Sequence, residues 1–392
     1  MIARMLSRFL DWIEIGWIPF PGLLSPERRA AFRSRAWSDS VKASASPESA
    51  APYWFHAASA GELEMLMPLI DDLASEGTAF CVTSFSVSGL PGIEKLKSRA
   101  RFAGLSPRES EWESAFRNFG TRVWVVSKYD LWPGALIAAR KLGIRVVVVN
   151  AEDRSSIRWI SRIFNREALP ELVFFANTPR SAELLGKRFP LARVEAGSDP
   201  RYERVARRIA HPPGERVRSW RERIETLPGP VGLVGSAWPA DLQVLLEDPD
   251  RIPGGLVVVP HDLSPENLDG IRSALELALP GRYLLVDEMG LLVELYPSAD
   301  WACVGGGFHR GIHSTVEPAV AGLPVICGPK HAGRFPETSE LVKAGILTVC
   351  ADSKEIHAWL AGEPWKKERR LPFLEQKRQS YVHLLESCRS IR

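Results

Sequence analysis

Short, continuous apolar runs recur along this 392-residue chain, and segments with helical periodicity separate them. The run 144–150 (IRVVVVN), for example, is apolar on both faces. That pattern is typical of a strand buried in a parallel sheet that helices cover on each side. The alternation therefore predicts an α/β fold built on parallel sheets.

The predicted strands fall into two series along the chain. The first series lies at 53–58, 79–85, 122–127, 144–150, 172–176 and 193–196, and the second at 231–235, 255–260, 282–286, 301–305, 324–327 and 346–350. Predicted helices in the first series lie at 61–75, 108–118, 131–142 and 179–187. Each series is long enough to form one Rossmann-like domain.

The alternation stops between the two series, where residues 205–228 are basic and contain prolines. We therefore place a domain boundary there and predict one domain over 50–205 and a second over 229–372. Residues 373–392 form a last helical segment, which we expect to pack back onto the first domain. In parallel sheets of this kind ligands bind at the carboxyl ends of the strands, so both domains are expected to open their loops onto one cleft.

Composition excludes several classes of function. The formal net charge of +3 is small and no aromatic-basic motif appears, so the sequence does not suggest a nucleic-acid partner. The five cysteines are scattered without a CxxC pair, which favours structural thiols in a reducing compartment. An Asp-x-Asp motif does not follow any apolar strand, so we expect no bound metal.

The N-terminal segment 1–35 is aromatic and apolar, but charged residues interrupt it before it reaches the length of a membrane span. Met5, Phe9, Trp12 and Trp17, with basic residues nearby, suit a helix lying in a bilayer interface. A helix docked on the protein's own surface is the alternative. Residues 36–52 are rich in Ser, Ala and Pro and indicate a connecting segment.

Residues 304–330 (VGGGFHRGIHSTVEPAVAGLPVICGPK) form the most informative stretch for ligand binding. A strand ends in three glycines, and a helix is predicted to start near His313 or Ser314, with Ser314 and Thr315 as caps whose free amides favour a phosphate. Glu317 lies one turn later and is placed to accept hydrogen bonds from ribose hydroxyls. The candidate nucleotide-binding residues of this stretch are Gly305, Gly306, Gly307, Arg310, Gly311, His313, Ser314, Thr315 and Glu317, with Lys330 as a second possible cation for the leaving phosphate.

A carboxylate also stands at the seam between the first strand and the first helix, in residues 54–66 (WFHAASAGELEML). Glu62 lies there at a helix N-terminus, where the helix dipole favours an anion. An ordinary helix-start glutamate and a general base are both compatible with this position.

Five stretches carry a resemblance to a known family: HAASAGELEMLMPLI, DLWPGALIAARKLGIRVVVVNAE and GIHSTVEPAVAGLPVICGP, and more loosely GSDPRY and VGSAWPAD. They are similar to motifs of the Kdo transferases of lipopolysaccharide synthesis, and the resemblance spans roughly residues 50–350. The resemblance implies a GT-B glycosyltransferase that moves 3-deoxy-D-manno-octulosonate from CMP-Kdo, without a further cofactor, onto a lipid A precursor with inversion. It also implies peripheral contact with the cytoplasmic face of the inner membrane.

The same resemblance implies roles for single residues. Glu62 takes the place of the family's general base. Ser59 and Gly61 are expected to bind the donor's sugar carboxylate, and Ser236, His261 and His313 are expected on the donor side. We place His56, Lys128, Asp130 and Glu152 in the cleft.

The chain departs from the family pattern at several positions. Trp238 stands where the family has His, and Ile312 and Ser314 replace a Gly and an Asn. Lys128 and Glu152 stand where the family has an acid and an Arg, so we expect an exchanged ion pair between them. Two alternatives stay open: a GT-B enzyme that uses a UDP-sugar, such as a lipid-linked sugar transferase or an epimerase, and a membrane-peripheral relative that has lost turnover.

Overall fold

The computed structural model describes residues 50–164, 168–197, 199–366 and 371–390. The predicted amphipathic segment 1–35 therefore lies outside the described residues. The chain divides into two compact units. The N-terminal unit runs to Arg201 and takes in the end of the chain from Gln379, and the C-terminal unit runs from Tyr202 to Arg378.

The N-terminal unit is a seven-stranded sheet with strand order β3-β2-β1-β4-β5-β6-β7, in which every pair is parallel. Its strands are β1 (Tyr53–Ala57), β2 (Phe80–Ser84), β3 (Phe102–Leu105), β4 (Val123–Ser127), β5 (Arg145–Ala151), β6 (Leu172–Ala176) and β7 (Arg193–Ala196). Its helices are α1 (Ala60–Ser75), α2 (Leu90–Leu96), α3 (Trp112–Asn118), α4 (Pro133–Leu142), α5 (Ser155–Ile163) and α6 (Pro179–Arg188).

This sheet is buried on both faces, as its continuous apolar strands predict. Trp54 and Val148 belong to the core on one side of the sheet, whereas their neighbours Phe55 and Val149 belong to the core on the other side. Successive side chains of a strand point to opposite faces, so a strand covered on both faces has to be apolar at every position.

Strand β3 was not predicted from the sequence. Its residues are all half-buried, and it lies at the edge of the sheet beside β2. A short edge strand that contains Gly104 lacks the continuous apolar signal of the central strands.

The last helix, α15 (Leu371–Arg389), contributes its C-terminal half to the N-terminal unit. Leu384 and Cys388 pack into the core there. The Tyr53 hydroxyl donates to the Cys388 carbonyl at 2.7 Å, and the Tyr381 hydroxyl donates to the Asp72 carboxylate at 2.6 Å. Apolar packing and these two hydrogen bonds therefore attach the last helix to β1 and α1.

The C-terminal unit is a six-stranded parallel sheet with strand order β10-β9-β8-β11-β12-β13. Its strands are β8 (Gly232–Ala237), β9 (Leu256–Pro260), β10 (Tyr283–Leu285), β11 (Trp301–Val304), β12 (Val325–Cys327) and β13 (Leu347–Val349). Its helices are α7 (Pro200–Ala210), which begins at the boundary, α8 (Glu215–Glu225), α9 (Pro239–Leu245), α10 (Pro265–Ala278), α11 (Leu292–Leu295), α12 (Val316–Val320), α13 (Pro336–Lys343), α14 (Ser353–Ala361) and the first part of α15.

The boundary between the units lies at Arg201, before the range 205–228 expected from the sequence. Helix α8 explains the difference. Although this helix is strongly basic, Val217, Trp220 and Ile224 are buried in a core that also contains β8. Its charged residues cover the outside, so the helix belongs to the C-terminal unit.

In both sheets the order of strands reverses at one point. Strand β1 lies between β2 and β4, and β8 lies between β9 and β11. Loops that leave such a switch point diverge to opposite faces of the sheet, which opens a crevice for ligands at the carboxyl ends of the two strands. The loops after β1 and β4, and after β8 and β11, carry most of the candidate site residues.

All five cysteines are free and buried, and burial raises the pKa of Cys350 to about 11. A buried thiol of this kind is poorly reactive. Within the described ranges, the helices are too short or too polar for any of them to cross a bilayer.

Candidate active site

Glu62 lies in the first turn of α1, directly after β1, and is 8% exposed. Its Oε2 accepts hydrogen bonds from the Ala58 amide at 2.8 Å and from the Ser127 hydroxyl at 3.1 Å. Ser127 ends β4, the neighbour of β1 at the switch point. Two elements therefore orient one carboxylate oxygen, Oε2, of Glu62.

Lys128 supplies the charge beside that oxygen. Its Nζ lies 3.9 Å from Glu62 Oε1, and its backbone is left-handed with φ of +55°. This conformation is uncommon outside glycine and is strained for a lysine. The Lys128 amide donates to the Val149 carbonyl at 2.7 Å, which holds the turn in place.

The expected ion pair between Lys128 and Glu152 is wrong. Strands β4 and β5 are neighbours, as predicted. However, the described ion pairs join Lys128 to Glu62 and Glu152 to Arg154, whose Nε lies 2.6 Å from the Glu152 Oε2. A partner two residues away on the same loop is reached without crossing between strands.

His56 and Asp130 are brought together by the fold. His56 is fully buried on β1, its Nδ1 lies 2.9 Å from the Thr83 hydroxyl, and its Nε2 lies 2.9 Å from the Asp130 Oδ2. The Trp54 indole donates to the same hydroxyl at 3.0 Å. The network holds Asp130 in the loop after β4, so His56 influences this region through Asp130.

Ser59 and Gly61 form the start of α1. Ser59 is the N-cap residue in an extended conformation, and Gly61 is exposed with open space where a side chain would be. The first amides of a helix have no intrahelical acceptor, so those of Gly61 and Glu62 are available for a ligand.

A serine-rich loop that sequence reasoning missed packs against this helix start. The Ser86 amide donates to the Ala58 carbonyl at 3.0 Å, and the Ala60 amide donates to the Ser88 hydroxyl at 3.4 Å. The loop follows β2, the other neighbour of β1. Serines at alternate positions after a predicted strand (SFSVS, 84–88) were the signal that could have found it.

Tyr129 also belongs to this region. Burial raises the pKa of its hydroxyl, and the nearby carboxylates of Glu62 and Glu152 raise it further. The phenol is therefore a neutral hydrogen-bonding group beside the carboxylates.

In the C-terminal unit, the glycines after β11 let two backbone segments approach closely. A Cβ at Gly305 would collide with the Ser236 carbonyl, and Gly306 has a φ of +87° that favours glycine. Gly307 accepts from the Lys330 amide at 3.0 Å, and the Gly311 amide donates to Gly306 at 2.8 Å. The loop is thus tightly bonded to itself and to the segment after β12, whereas the sequence suggested glycines that admit a ligand.

Asp241 holds this loop and was not among the predicted site residues. It is 2% exposed, and its carboxylate accepts from the amides of Gly306 at 2.6 Å and Phe308 at 3.1 Å. It also accepts from the Trp238 amide at 3.0 Å at the start of α9. From the sequence Asp241 looks like an ordinary capping acid, because Gly306 and Phe308, whose amides it binds, are 65 and 67 residues away.

An aromatic cluster lies at the end of β8. The Trp238 ring stacks on His261 and on His309, with centroid distances of 4.8 and 4.7 Å. His313 stacks on His261 at 4.4 Å. The Arg310 guanidinium carbon lies 5.6 Å from the Trp238 ring centroid, which is within cation–π range.

The helix after the glycine loop differs from the prediction. It begins at Val316, has five residues, and its N-cap Thr315 makes no side-chain capping bond among the described residues. Ser314 is exposed, whereas Thr315 is buried with its hydroxyl 3.5 Å from that of Thr338. The predicted caps are therefore absent at this helix, because Thr315 faces the core.

Two more candidate residues lie beside this loop. Glu317 is half-buried in the first turn of α12, and its charge adds to the burial that raises the pKa of Tyr296 well above the ordinary value. Ser236, near the end of β8, is left-handed with φ of +54° and lies under Gly305.

A metal centre is not formed by the described side chains: no group of three or more His, Cys, Asp or Glu among them could hold an ion. In the C-terminal unit, Arg310 belongs to the glycine loop and the Lys330 amide donates to Gly307; both residues are exposed.

The comparisons with known proteins agree with the predicted family. Residues 28–203 match the family described as 3-deoxy-D-manno-octulosonic-acid transferase (kdotransferase). The 3-deoxy-D-manno-octulosonic acid transferase of Bordetella pertussis is 28% identical over 356 residues, which cover 81% of each chain. The enzyme of the same name from Chlamydia muridarum is 25% identical over 375 residues, covering 86% of this chain and 85% of that one.

A solved structure shows the fold. UDP-GlcNAc 2-epimerase from Neisseria meningitidis, bound to UDP-GlcNAc, matches 86% of this chain and 99% of its own with a TM-score of 0.61 at 15% identity. The predicted GT-B class, with two Rossmann-like domains, is confirmed. Residues 28–203 thus resemble the Kdo transferases, and the similarity to the two enzymes of that name extends over 81–86% of this chain.

Proposed function

We propose that this protein is an inverting glycosyltransferase that moves Kdo from CMP-Kdo to a lipid A precursor. The observation that carries the proposal is the geometry of Glu62. Two hydrogen bonds orient Oε2, and Oε1 lies 3.9 Å from the Lys128 ammonium. A general base needs a fixed, accessible oxygen of this kind within reach of the hydroxyl that it deprotonates.

The proposed reaction balances without a metal. Glu62 Oε1 takes the proton of an acceptor hydroxyl while that oxygen forms a bond to the anomeric carbon of Kdo. The bond from that carbon to the phosphate oxygen breaks on the opposite face, and CMP leaves with the electron pair. Attack opposite the leaving group inverts the anomeric configuration.

The C-terminal unit supplies groups suited to the nucleotide. Arg310 offers positive charge beside the glycine loop, and His313 offers a ring nitrogen for a phosphate oxygen. Glu317 is assigned to the ribose hydroxyls. Fixed donors and cations of this kind stabilise the charge that develops on a leaving phosphate. We assign Ser236 and His261 to the same donor site.

Nucleotide preference tests the proposal directly. Thermal denaturation of the whole chain should shift upward with CMP more than with UDP or GDP, since a ligand that binds the folded state stabilises it. Preference for UDP would favour a UDP-sugar enzyme, to which the epimerase likeness contributes the fold alone. Absence of any shift would favour a relative without turnover.

We further propose peripheral contact with the cytoplasmic face of the inner membrane through residues 1–35. Deleting residues 1–24 should release the protein from anionic liposomes while leaving the far-ultraviolet circular dichroism of the two units intact. Trp12 and Trp17 are the expected anchors, because indole rings favour the bilayer interface. Equal sedimentation of both proteins with liposomes would contradict the membrane assignment.

A further inference from the structure

Trp238 and His313 form a coplanar pair at the end of β8. Their rings are inclined by 9°, and the Trp238 Nε1 donates a hydrogen bond to the His313 Nε2 at 3.0 Å. The capping bond from the Trp238 amide to Asp241 holds the tryptophan backbone. Trp238 is therefore positioned by the start of α9 and reaches His313 through its ring edge.

Neighbouring rings keep the pair flat. His261 stacks on both members, with centroid distances of 4.8 Å to Trp238 and 4.4 Å to His313. His309 also stacks on Trp238, at an angle of 23°. Rotation of the indole would break these stacks, so the direction of its N–H is set by packing.

The hydrogen bond determines the tautomer of His313. An indole N–H donates and never accepts, so the Nε2 of His313 has to carry a lone pair. The ring proton is then on Nδ1. A doubly protonated imidazole would place two N–H groups against each other at 3.0 Å, which costs the bond and adds repulsion.

The groups around His313 also influence the protonation of its imidazole. Burial lowers its pKa, His261 lowers it further, and Asp241 on α9 opposes both. Arg310 on the glycine loop and Lys330 after β12 are the fixed positive charges of this region, and His309 and His331 are its other titratable groups. Among the described residues, the His313 Nδ1 has no hydrogen-bond acceptor.

We propose that Trp238 is a positioning residue of the donor site: its indole fixes His313 as the neutral Nδ1–H tautomer, so that His313 offers a neutral hydrogen-bond donor to a phosphate oxygen of the nucleotide. The assignment of the phosphate rests on the proposed function. The tautomer is a property of the protein without any ligand. The arrangement keeps the donor unchanged across neutral and mildly acidic pH, where a free histidine would titrate.

The first test is nuclear magnetic resonance of the whole protein labelled with ¹⁵N-histidine. Long-range proton–nitrogen correlations distinguish the two neutral tautomers, and the signal lost in His313→Asn identifies His313. We expect the Nδ1–H form in the wild-type protein. In Trp238→Phe, which keeps a ring and removes the N–H, the pKa of His313 should rise.

A matched control is available in the same unit. Trp359 is half-buried and packs edge-on against Trp301 on β11, with a centroid distance of 6.2 Å. Trp359→Phe makes the same chemical change outside the cluster of Trp238, His261, His309 and His313. It should leave the His313 tautomer and pKa as in the wild type.

The second test measures the dissociation constant of CMP at pH 8 and pH 5.5. The ratio of Trp238→Phe to wild type cancels the titration of the phosphate itself. At pH 8 the ratio should be about 2 to 10, the usual cost of one disordered hydrogen bond. At pH 5.5 it should fall to one or below, because the released His313 becomes a cation.

Three results would overturn the proposal: an Nε2–H tautomer in the wild-type protein, an unchanged His313 pKa in Trp238→Phe, or the same CMP ratio at both pH values. The first needs no variant, so it holds even if Trp238→Phe fails to fold. Failure of the proposed function gives a different outcome: the tautomer stands, whereas UDP binds in place of CMP.

Discussion

Replacing Glu62 with glutamine keeps the size of the side chain and removes its ability to take a proton. In the variant, the amide oxygen can still accept from the Ala58 amide and the Ser127 hydroxyl, so the orientation of the side chain is retained. The amide nitrogen then replaces Oε1, 3.9 Å from the Lys128 Nζ. The lost interaction is one ion pair with a partly exposed lysine, worth up to about 1 kcal/mol of unfolding free energy.

The effect on the reaction is expected to be much larger. A positioned general base contributes about 10²–10⁴ in rate, which is about 3–5 kcal/mol of activation free energy. Glu62→Gln should therefore lose that factor in kcat while its melting temperature changes little. Its affinity for CMP should stay near the wild-type value, because Glu62 lies on the N-terminal unit and the nucleotide groups lie on the other.

The assay is CMP release from CMP-Kdo with a lipid A precursor as acceptor, alongside calorimetric titration with CMP. Glu64→Gln is the matched control, since Glu64 is exposed on the same helix and should tolerate the change. Ser127→Ala removes one of two orienting bonds and should lose about fivefold, the equivalent of about 1 kcal/mol. A kcat of Glu62→Gln within tenfold of wild type would refute the base assignment.

Three further predictions use the remaining site residues. Glu317→Ala should weaken CMP binding by about 10- to 150-fold, the cost of losing charged hydrogen bonds to the ribose, and an unchanged dissociation constant would remove that assignment. A double-mutant cycle of Lys128→Met with Glu152→Gln, measured by chemical denaturation, should give a coupling energy near zero, because each side chain has a different partner; coupling above about 0.5 kcal/mol would contradict the observed pairs. His313 has a lowered pKa in the folded protein, so its contribution to stability is complete above about pH 6.5 and is lost as the pH falls toward the folded pKa. His313→Asn should therefore reduce the loss of melting temperature between pH 7 and pH 5.5, and an equal loss in both proteins would contradict this reasoning.

The sequence predicted both sheets because their central strands carry the signal in themselves. Residues such as 146–149 are apolar at every position, and this pattern arises when helices cover both faces. It also placed Glu62 at a strand–helix seam and the glycines after β11. Strand β3 was not predicted, because a half-buried edge strand does not have to be apolar at every position.

The boundary between the units and the start of α12 differ from the positions predicted from the sequence. Helix α8 is basic overall, and its three buried residues are separated by charged ones, so its attachment to the C-terminal unit depends on which face packs. Ser314 and Thr315 have the composition of helix caps. Thr315 does not cap the helix, because it is buried against Thr338. The sequence around Thr315 contains no sign of that contact.

By itself, the sequence determined the fold class, the family resemblance and the residues that end the central strands, because these follow from local periodicity and from short motifs. Tertiary structure decided the partners: Ser127 for Glu62, Asp241 for the glycine loop, and His313 for Trp238. In each case the two residues are 65 or more positions apart in the chain. Parallel crossovers bring the ends of β1 and β4, and of β8 and β11, side by side, and that adjacency is a property of the sheet order.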